Sequence, residues 1–201
     1  MACLAVIERR DRLFSMKRLF DLGLSLLLSA AFSIPLLLVA LLVKLTSSGP
    51  VLYLSDRVGK GNVIFKMPKF RTMRVDTPAV ATHLLSNPDR FLTPIGAFLR
   101  KTSLDELPQL ISILKGDMSF VGPRPALFNQ DDLIKLRTEH GVHLLTPGLT
   151  GWAQINGRDE LPIPVKVEFD RYYLEHRSFI FDFKIMFMTF VKVVKSEGVR
   201  H

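Results

Sequence analysis

An uncharged run near the N-terminus limits the folds that this chain can adopt more than any other feature. Residues 22–43 carry no charged side chain and lie between Asp21 and Lys44. As one straight helix the run would be about 33 Å long, enough to span a hydrocarbon layer of about 30 Å. It is too long for the apolar region of a cleaved signal peptide, which has only about 7–15 residues. The run therefore predicts a membrane segment.

Two features of this run argue against a straight spanning helix. Pro35 lies past its middle, where proline removes a backbone hydrogen bond and bends a helix. Both flanks are basic, whereas a spanning helix has its basic flank on the cytoplasmic side. A segment that enters one leaflet, bends at Pro35 and leaves by the same face fits both features, and Ser29 or Ser33 can satisfy the freed carbonyl. Charge and kink alone leave both topologies open. The basic residues are Arg9, Arg10, Arg12, Lys17 and Arg18 before the run, and Lys44, Arg57, Lys60, Lys66, Lys69 and Arg71 after it.

The composition also favours a membrane surface over a soluble partner. The 201-residue chain has a formal net charge of +8, yet its mean hydropathy is positive, at +0.23. A nucleic-acid-binding protein is usually basic and hydrophilic, whereas a basic and apolar chain suits a membrane surface. Cys3 is the only cysteine, so no disulfide can form within the chain, which fits a reducing cytoplasm.

Two adjacent carboxylates, Asp105 and Glu106, are prominent in the remaining part of the chain. Ser103, with Glu106 three residues later, matches the capping box of a helix start, and Pro108 is tolerated in a first helical turn. The apolar spacing predicts that this helix continues to residue 115. On this stretch alone, the plainer explanation is that Glu106 caps the helix and Asp105 complements the helix dipole.

Basic side chains and rigid turns surround this pair in the sequence. Strands are predicted at 51–55 and 63–67, and basic residues alternate with apolar ones at 65–74. Arg124 lies in Gly-Pro-Arg-Pro, a turn with little backbone freedom, which suits bidentate binding of phosphate. A glycine-rich loop follows at 146–158, where glycine allows a close backbone approach to a ligand. Other helices are predicted at 94–100, 131–140, 167–175 and 179–195.

The chain carries five short motifs. They are Lys-Phe-Arg-Thr-Met at 69–73, Leu-Asp-Glu-Leu-Pro-Gln at 104–109, Lys-Gly-Asp-Met-Ser-Phe-Val-Gly-Pro-Arg-Pro at 115–125, Pro-Gly-Leu-Thr-Gly at 147–151 with Gln-Ile-Asn-Gly-Arg at 154–158, and Asp-Arg-Tyr-Tyr at 170–173. In this order they resemble the motifs of the bacterial sugar transferases, also called monotopic phosphoglycosyl transferases, from about residue 17 to the end. One departure concerns the membrane segment. Family members often have serine directly before the kinking proline, whereas this chain has Ile34 there and Ser33 one residue earlier.

The resemblance implies a reaction in which a sugar-1-phosphate passes from a UDP-sugar to a membrane polyprenyl phosphate, with release of UMP. It implies that Asp105 is the nucleophile and forms a phosphosugar–enzyme intermediate. Mg²⁺ is expected to bridge Asp105, Glu106 and the substrate, and Glu106 either holds the metal or assists proton transfer. The expected substrate contacts are Lys69, Arg71, Arg100, Arg124, Gln154, Arg158 and Asp170.

The expected fold is α+β, mostly helical with a few short strands, with a re-entrant membrane helix and interfacial amphipathic helices. Residues 1–18 form a basic N-terminal segment, 19–46 a membrane helix-break-helix kinked at Ser33 and Pro35, and 47–201 a catalytic domain. That domain is expected on the cytoplasmic face of the bacterial inner membrane, because a UDP-sugar is made in the cytoplasm. The expected partners are a UDP-sugar, undecaprenyl or another polyprenyl phosphate, and membrane lipid, without nucleic acid. A homodimer is compatible with the sequence.

A non-enzymatic alternative is a membrane-tethered basic module that binds anionic lipid or nucleic acid. It explains the charge and the membrane segment, but not two carboxylates among arginines, because carboxylates repel the phosphates that such a module must bind. A transferase or phosphatase that works without a covalent intermediate is a second alternative. Magnesium-dependent release of UMP in the absence of lipid acceptor distinguishes all three.

Overall fold

The computed structural model describes residues 2–78, 88–157 and 161–195, with side chains from residue 15 to 193 and at 195. As the sequence predicted, the described fold is α+β and mostly helical with a few short strands. The helices are α1 Ala2–Ala31, α2 Ser33–Thr46, α3 Gly96–Lys101, α4 Leu110–Lys115, α5 Asp131–Glu139, α6 Trp152–Ile155, α7 Ile163–His176 and α8 Phe179–Val194. The strands are β1 Leu52–Val58, β2 Ile64–Phe70, β3 Ser119–Val121, β4 Ala126–Leu127 and β5 Gly148–Thr150. Short 3₁₀ segments lie at Lys60–Asn62, Pro88–Phe91, Leu104–Gln109 and Val142–Leu144.

The uncharged run folds as parts of two helices, α1 and α2, which are separated at Phe32. The segments Ser15–Ala31 and Ser33–Thr46 meet at a bend of 63°. Among the described helices, none is by itself long and apolar enough to cross a membrane, whereas this bent pair together has sufficient length and apolar composition.

The residues at the bend explain why the helix breaks there. Pro35 is the third residue of α2, where its missing N–H costs little because the first turn of a helix has no acceptors for these groups. The Ser33 hydroxyl donates to the Ala30 carbonyl at 2.8 Å, so it satisfies an acceptor near the end of α1. The Leu36 N–H donates to the Phe32 carbonyl at 2.8 Å and restarts the helical hydrogen bonds.

Two small sheets form the β part of the fold. In the first, β1 lies between β2 and β4 and is antiparallel to both. The hairpin of β1 and β2 is longer than the sequence predicted, with Ser55 opposite Met67 and Leu52 opposite Phe70. In the second sheet, β3 and β5 are parallel, with Val121 opposite Thr150. This second pair places the Gly-Pro-Arg-Pro turn beside the glycine-rich loop.

The main core lies between α4, the β3–β5 pair, α7 and α8. Its completely or nearly completely buried side chains include Ile113, Met118, Val121 and Ile185. Leu24 of α1 packs against the same cluster, so the core extends to the uncharged run. Burial of a large aliphatic side chain contributes roughly 1.5–3 kcal/mol, and this cluster therefore holds α1 and the rest of the chain together.

A buried polar cluster joins α1 to α7, α8 and β3. Lys17 Nζ donates to Asp182 Oδ2, and the Tyr173 hydroxyl donates to Asp182 Oδ1 at 2.7 Å. The Asp21 carboxylate accepts the Phe120 N–H at 3.2 Å. Burial raises the pKa of Tyr173, so its phenol remains a hydrogen-bond donor at neutral pH. The cluster thus connects α1 to the strand that precedes the Gly-Pro-Arg-Pro turn.

Replacing Asp182 with Ala tests this connection. The substitution leaves the mostly buried Lys17 ammonium and the Tyr173 hydroxyl without their carboxylate, and breaking such a pair costs about 3 kcal/mol. We expect a thermal midpoint several degrees lower in detergent micelles. Glu175→Ala is the matched control, because the Arg171–Glu175 pair is about half exposed and contributes little. Equal midpoints for the two variants would contradict the structural role of Asp182.

Candidate active site

Asp105 and Glu106 lie in the 3₁₀ turn Leu104–Gln109, which leads into α4. The predicted capping box is wrong. Ser103 adopts a left-handed conformation with φ of 56°, and its side chain makes no capping hydrogen bond. Instead, its carbonyl accepts the Glu106 N–H at 3.2 Å. Pro108 lies inside this tight turn, where it needs no N–H partner. The Glu106 carboxylate is therefore available for contacts outside its own helix.

Glu106 joins three segments that are distant in the sequence. Its Oε1 atom accepts a hydrogen bond from Lys69 Nζ at 2.7 Å and a longer one from Arg124 Nη2 at 3.4 Å. Lys69 lies near the end of β2, and Arg124 lies in the turn after β3. Both cations are partly buried, so their attraction to Glu106 is less screened than on an open surface.

Asp105 is the buried member of the carboxylate pair. Only 8% of its surface is exposed, and burial raises its pKa to about 6, with Glu106 acting in the same direction. Lys69, Arg100 and Arg124 oppose that rise, and they keep the ionised form accessible near neutral pH. Within the described residues, no hydrogen bond to the Asp105 carboxylate is found. A buried carboxylate without a hydrogen-bond donor, surrounded by cations, is typical of a site that binds or attacks a ligand.

Arg100 adds a third cation beside this pair. Its Nε atom donates to the Thr72 hydroxyl at 3.0 Å, which fixes the side chain after the short helix α3. Burial lowers the pKa of Arg100, and the Asp105 charge opposes that change. Arg100 therefore lies close enough to Asp105 for their charges to interact.

The backbone of the Gly-Pro-Arg-Pro turn is held at each of its last three carbonyls. The Pro123 carbonyl accepts the Gly148 N–H at 2.9 Å. The Arg124 carbonyl accepts Arg137 Nη1 at 2.8 Å, and the Pro125 carbonyl accepts Arg57 Nη1 at 3.1 Å. Donors from three different parts of the chain therefore fix the position of Arg124, which proline stiffness alone would leave undefined.

Two glycines allow the glycine-rich loop to approach this turn. A Cβ atom at Gly148 would lie 2.1 Å from the Gly122 nitrogen, and one at Gly151 would lie 2.1 Å from the Gly122 carbonyl oxygen. No side chain fits at such distances, because two backbones are in direct contact there. Gly148 and Gly151 therefore support the site by allowing the loop to pack against the turn.

The other predicted contacts occupy different environments. Arg71 is buried, and its guanidinium donates to the carbonyls of Pro50 at 2.6 Å and Ser47 at 3.0 Å, so it closes the end of α2. Gln154 is also buried and donates to the Leu149 carbonyl at 3.0 Å, while its Oε1 atom has no partner among the described residues. Arg158 lies outside the described residues. Lys69, Arg100 and Arg124 are thus the predicted contacts that the structure gathers at Asp105 and Glu106.

Asp170 is remote from solvent, with 2% of its surface exposed, and it pairs with Arg137. Arg137 is the residue that sequence reasoning missed, because the helix 131–140 is largely polar and gives no chemical motif. A signal was nevertheless present in the sequence, because Arg137 follows Leu133 by four residues and therefore lies on the same helical face. The structure shows that both side chains are buried. An arginine on the apolar face of a helix is itself an indication of a buried partner.

Asp105 and Glu106 are also the candidate metal ligands. The described part of the chain contains no group of three or more histidine, cysteine, aspartate or glutamate residues that could hold a metal ion. Mg²⁺ does not need such a group, since it is commonly bound by one or two carboxylates together with substrate phosphates and water. Asp105, to which no described residue donates a hydrogen bond, and the adjacent Glu106 therefore fit a metal that binds together with a substrate.

The chain belongs to the bacterial sugar transferase family, whose sequence profile matches residues 12–196. It is 42% identical over 187 residues to the uncharacterized sugar transferase EpsL of Bacillus subtilis, covering 92% of this chain and 90% of that protein. It is 42% identical over 185 residues to UDP-glucose:undecaprenyl-phosphate glucose-1-phosphate transferase of Escherichia coli, covering 88% of this chain and 40% of the relative. A UDP-N-acetylgalactosamine-undecaprenyl-phosphate N-acetylgalactosaminephosphotransferase of Aeromonas hydrophila is 35% identical over 92% of this chain and 45% of its own length. The chain thus spans most of EpsL, and less than half of the two longer relatives.

Asp105→Asn is expected to stabilise the protein at neutral pH. A pKa raised to about 6 from the ordinary value of 3.8 means that the folded state disfavours the ionised carboxylate by roughly 3 kcal/mol. This cost develops as the pH rises from about 4 to about 6 and is fully present above that range. Asparagine avoids it, so metal-free Asp105→Asn should have a higher thermal midpoint than the unmodified protein at pH 7.5, with a smaller difference at pH 4.5. A lower midpoint at pH 7.5 would show that attraction to the nearby cations outweighs the cost of burying the Asp105 charge.

Proposed function

We propose that this chain transfers a sugar-1-phosphate from a UDP-sugar to a polyprenyl phosphate such as undecaprenyl phosphate. The observation that carries the proposal is the buried Asp105 carboxylate, which accepts no hydrogen bond from the described residues and is surrounded by Lys69, Arg100 and Arg124. Membership of the sugar transferase family supports the class of reaction, and the names of the Escherichia coli and Aeromonas relatives support the lipid acceptor.

The proposed chemistry has two displacements at one phosphorus atom. An Asp105 oxygen attacks the sugar-bearing phosphorus of the UDP-sugar, a bond from carboxylate oxygen to phosphorus forms, and the bond to the bridging oxygen breaks to release UMP. A phosphate oxygen of the polyprenyl phosphate then attacks the same phosphorus, and the Asp105 carboxylate leaves unchanged. Neither step requires a net proton transfer, so Glu106 is not needed as a base.

The cations around Asp105 have defined tasks in this proposal. Lys69 and Arg124 balance the charge of Glu106 and lie near the phosphates, while Arg100 balances Asp105 itself. Asp105 and Glu106 would hold Mg²⁺, which neutralises phosphate charge and polarises the phosphoryl group when bound. Arg71 and Asp170 are left out of the proposed substrate contacts, because both are buried: Arg71 donates to two backbone carbonyls, and Asp170 accepts from Arg137.

Exposed apolar side chains support placement of the site at a membrane surface. On α8, Ile180, Phe187 and Phe190 lie on one helical face, and the exposed fraction of each ranges from 66% to 83%. The bent α1–α2 pair exposes Leu26, Leu27, Leu37, Leu38, Leu41, Leu42 and Leu45. Apolar patches of this size are unusual on a soluble monomer and suit an interfacial helix beside a membrane segment. We place this surface on the cytoplasmic leaflet of the bacterial membrane, with the bent pair re-entrant.

The covalent step is tested with the purified chain, Mg²⁺ and a UDP-sugar labelled in its sugar, in the absence of lipid acceptor. We expect at most one UMP released per chain, together with labelled protein from which hydroxylamine, a nucleophile that cleaves acyl phosphates, removes the label. Asp105→Asn should abolish labelling and lower turnover with acceptor at least ~10³-fold. Asp132→Asn, at the exposed start of α5, is the matched control and should behave like the unmodified chain.

Other outcomes of this experiment distinguish the alternatives. UMP release only when acceptor is present would keep the transfer and exclude the covalent intermediate. Continuous UMP release without acceptor would indicate a hydrolase. No release under either condition, with tight binding to anionic vesicles, would support a non-enzymatic membrane module.

The topology is tested with single cysteines in place of Arg10 and Lys60, after replacement of Cys3. A re-entrant pair keeps both positions in the cytoplasm, because both flanks of the uncharged run are basic. We expect both cysteines to resist a membrane-impermeant thiol reagent in intact cells and to react after permeabilisation. Labelling of position 10 in intact cells would indicate a helix that spans the membrane. Pro35→Leu should raise that labelling, because one straight helix reaches further across the membrane than the bent pair does.

A further inference from the structure

We propose that Arg137 is a positioning residue for Arg124, and that Asp170 fixes Arg137 for this task. The inference rests on the proposed function, because it treats Arg124 as a ligand of the donor phosphates. Among the described residues, no hydrogen bond or ion pair joins Arg137 or Asp170 to the carboxylate pair. Arg137 instead binds the backbone of the Gly-Pro-Arg-Pro turn, and Asp170 binds Arg137.

The geometry of the Arg137 guanidinium supports this role. One edge, formed by Nε and Nη2, donates to Asp170 Oδ2 at 2.9 and 2.6 Å. The remaining amino group, Nη1, donates to the Arg124 carbonyl at 2.8 Å. The planar guanidinium therefore connects α7 to the turn in a single rigid unit, and lysine with its single ammonium group cannot reproduce that arrangement.

Burial makes this connection strong and specific. The side chains of Arg137 and Asp170 are 9% and 2% exposed, so water does not compete for their hydrogen bonds. A buried ion pair adds little net stability compared with apolar side chains of similar volume. The pair instead fixes the orientation of Arg137, whose Nη1 atom donates to the Arg124 carbonyl. The Arg124 side chain then remains oriented toward Glu106.

The Arg124 side chain reaches Glu106 from this fixed backbone. Its contact with Glu106 is 3.4 Å long, and 35% of the side chain is exposed. A guanidinium on a fixed backbone can exchange a carboxylate contact for a phosphate contact without moving the turn. The position of the Arg124 guanidinium therefore depends on the hydrogen bond between Arg137 and the Arg124 carbonyl.

The test measures binding of UDP in the presence of Mg²⁺ to the full chain in nanodiscs, by titration calorimetry. UDP carries the phosphates that all UDP-sugar donors share, so the experiment does not require knowledge of the sugar. We expect Arg124→Ala to weaken UDP binding about tenfold, within the range for loss of a charge-assisted contact. Arg137→Lys should weaken it by a similar factor, and Asp170→Asn by a smaller one.

A double-mutant cycle separates positioning from general stability. If Arg137 acts through Arg124, then Arg137→Lys should have no further effect, within about twofold, when Arg124 is already Ala. A purely structural effect would instead weaken binding by the same factor in both backgrounds. Arg171→Lys is the matched control, because Arg171 neighbours Asp170 on α7 but is exposed and pairs with Glu175. Its UDP affinity should equal that of the unmodified chain.

Each outcome of the binding experiment has one interpretation. Full UDP affinity in both Arg137→Lys and Asp170→Asn, or additive effects in the cycle, would overturn the inference while leaving the proposed function intact. Failure of the unmodified chain to bind UDP with Mg²⁺ would overturn both. If Arg137→Lys does not fold, Asp170→Asn in the two Arg124 backgrounds completes the same cycle, because asparagine keeps the volume of aspartate and an oxygen acceptor for the guanidinium.

Discussion

The site depends on cations that balance the charge of two adjacent, partly buried carboxylates. Burial raises the pKa of Asp105, and Glu106 beside it adds to that rise. Lys69 and Arg124 bind Glu106 directly, and together with Arg100 they lower the cost of the Asp105 charge. The three cations come from β2, from α3 and from the turn after β3, so the arrangement of carboxylates exists only when these elements are packed together.

A second set of interactions connects the site to α1. Asp21 of α1 binds the backbone of β3, and β3 leads directly into the Gly-Pro-Arg-Pro turn. Lys17, four residues earlier on α1, shares Asp182 with Tyr173 in a cluster with little exposure. The turn is thus held from the α1 side through β3 and from the α5–α7 side through Arg137.

Local sequence patterns predicted the elements better than they predicted the side-chain partners. The hairpin, the long polar helix and the last two helices were predicted within a few residues, because alternation and helical spacing are local properties. The capping box failed because Ser103 adopts the left-handed region, and a motif of residue types does not specify backbone dihedral angles. Lys69 and Arg71 are two residues apart and would share one face of a strand, but β2 ends at Phe70, so Arg71 turns toward α2.

By itself, the sequence determined the uncharged run with its proline, the basic character of the chain and the order of the family motifs. These are properties of composition and spacing, and they identify the Asp105–Glu106 pair and its family without any coordinates. The tertiary structure alone decided which basic residues reach that pair, because Lys69 and Arg124 lie 37 and 18 residues away from Glu106 along the chain. It also revealed Arg137 and its partner Asp170, since their hydrogen bonds to each other and to the Arg124 carbonyl require the packing of α5, α7 and the turn.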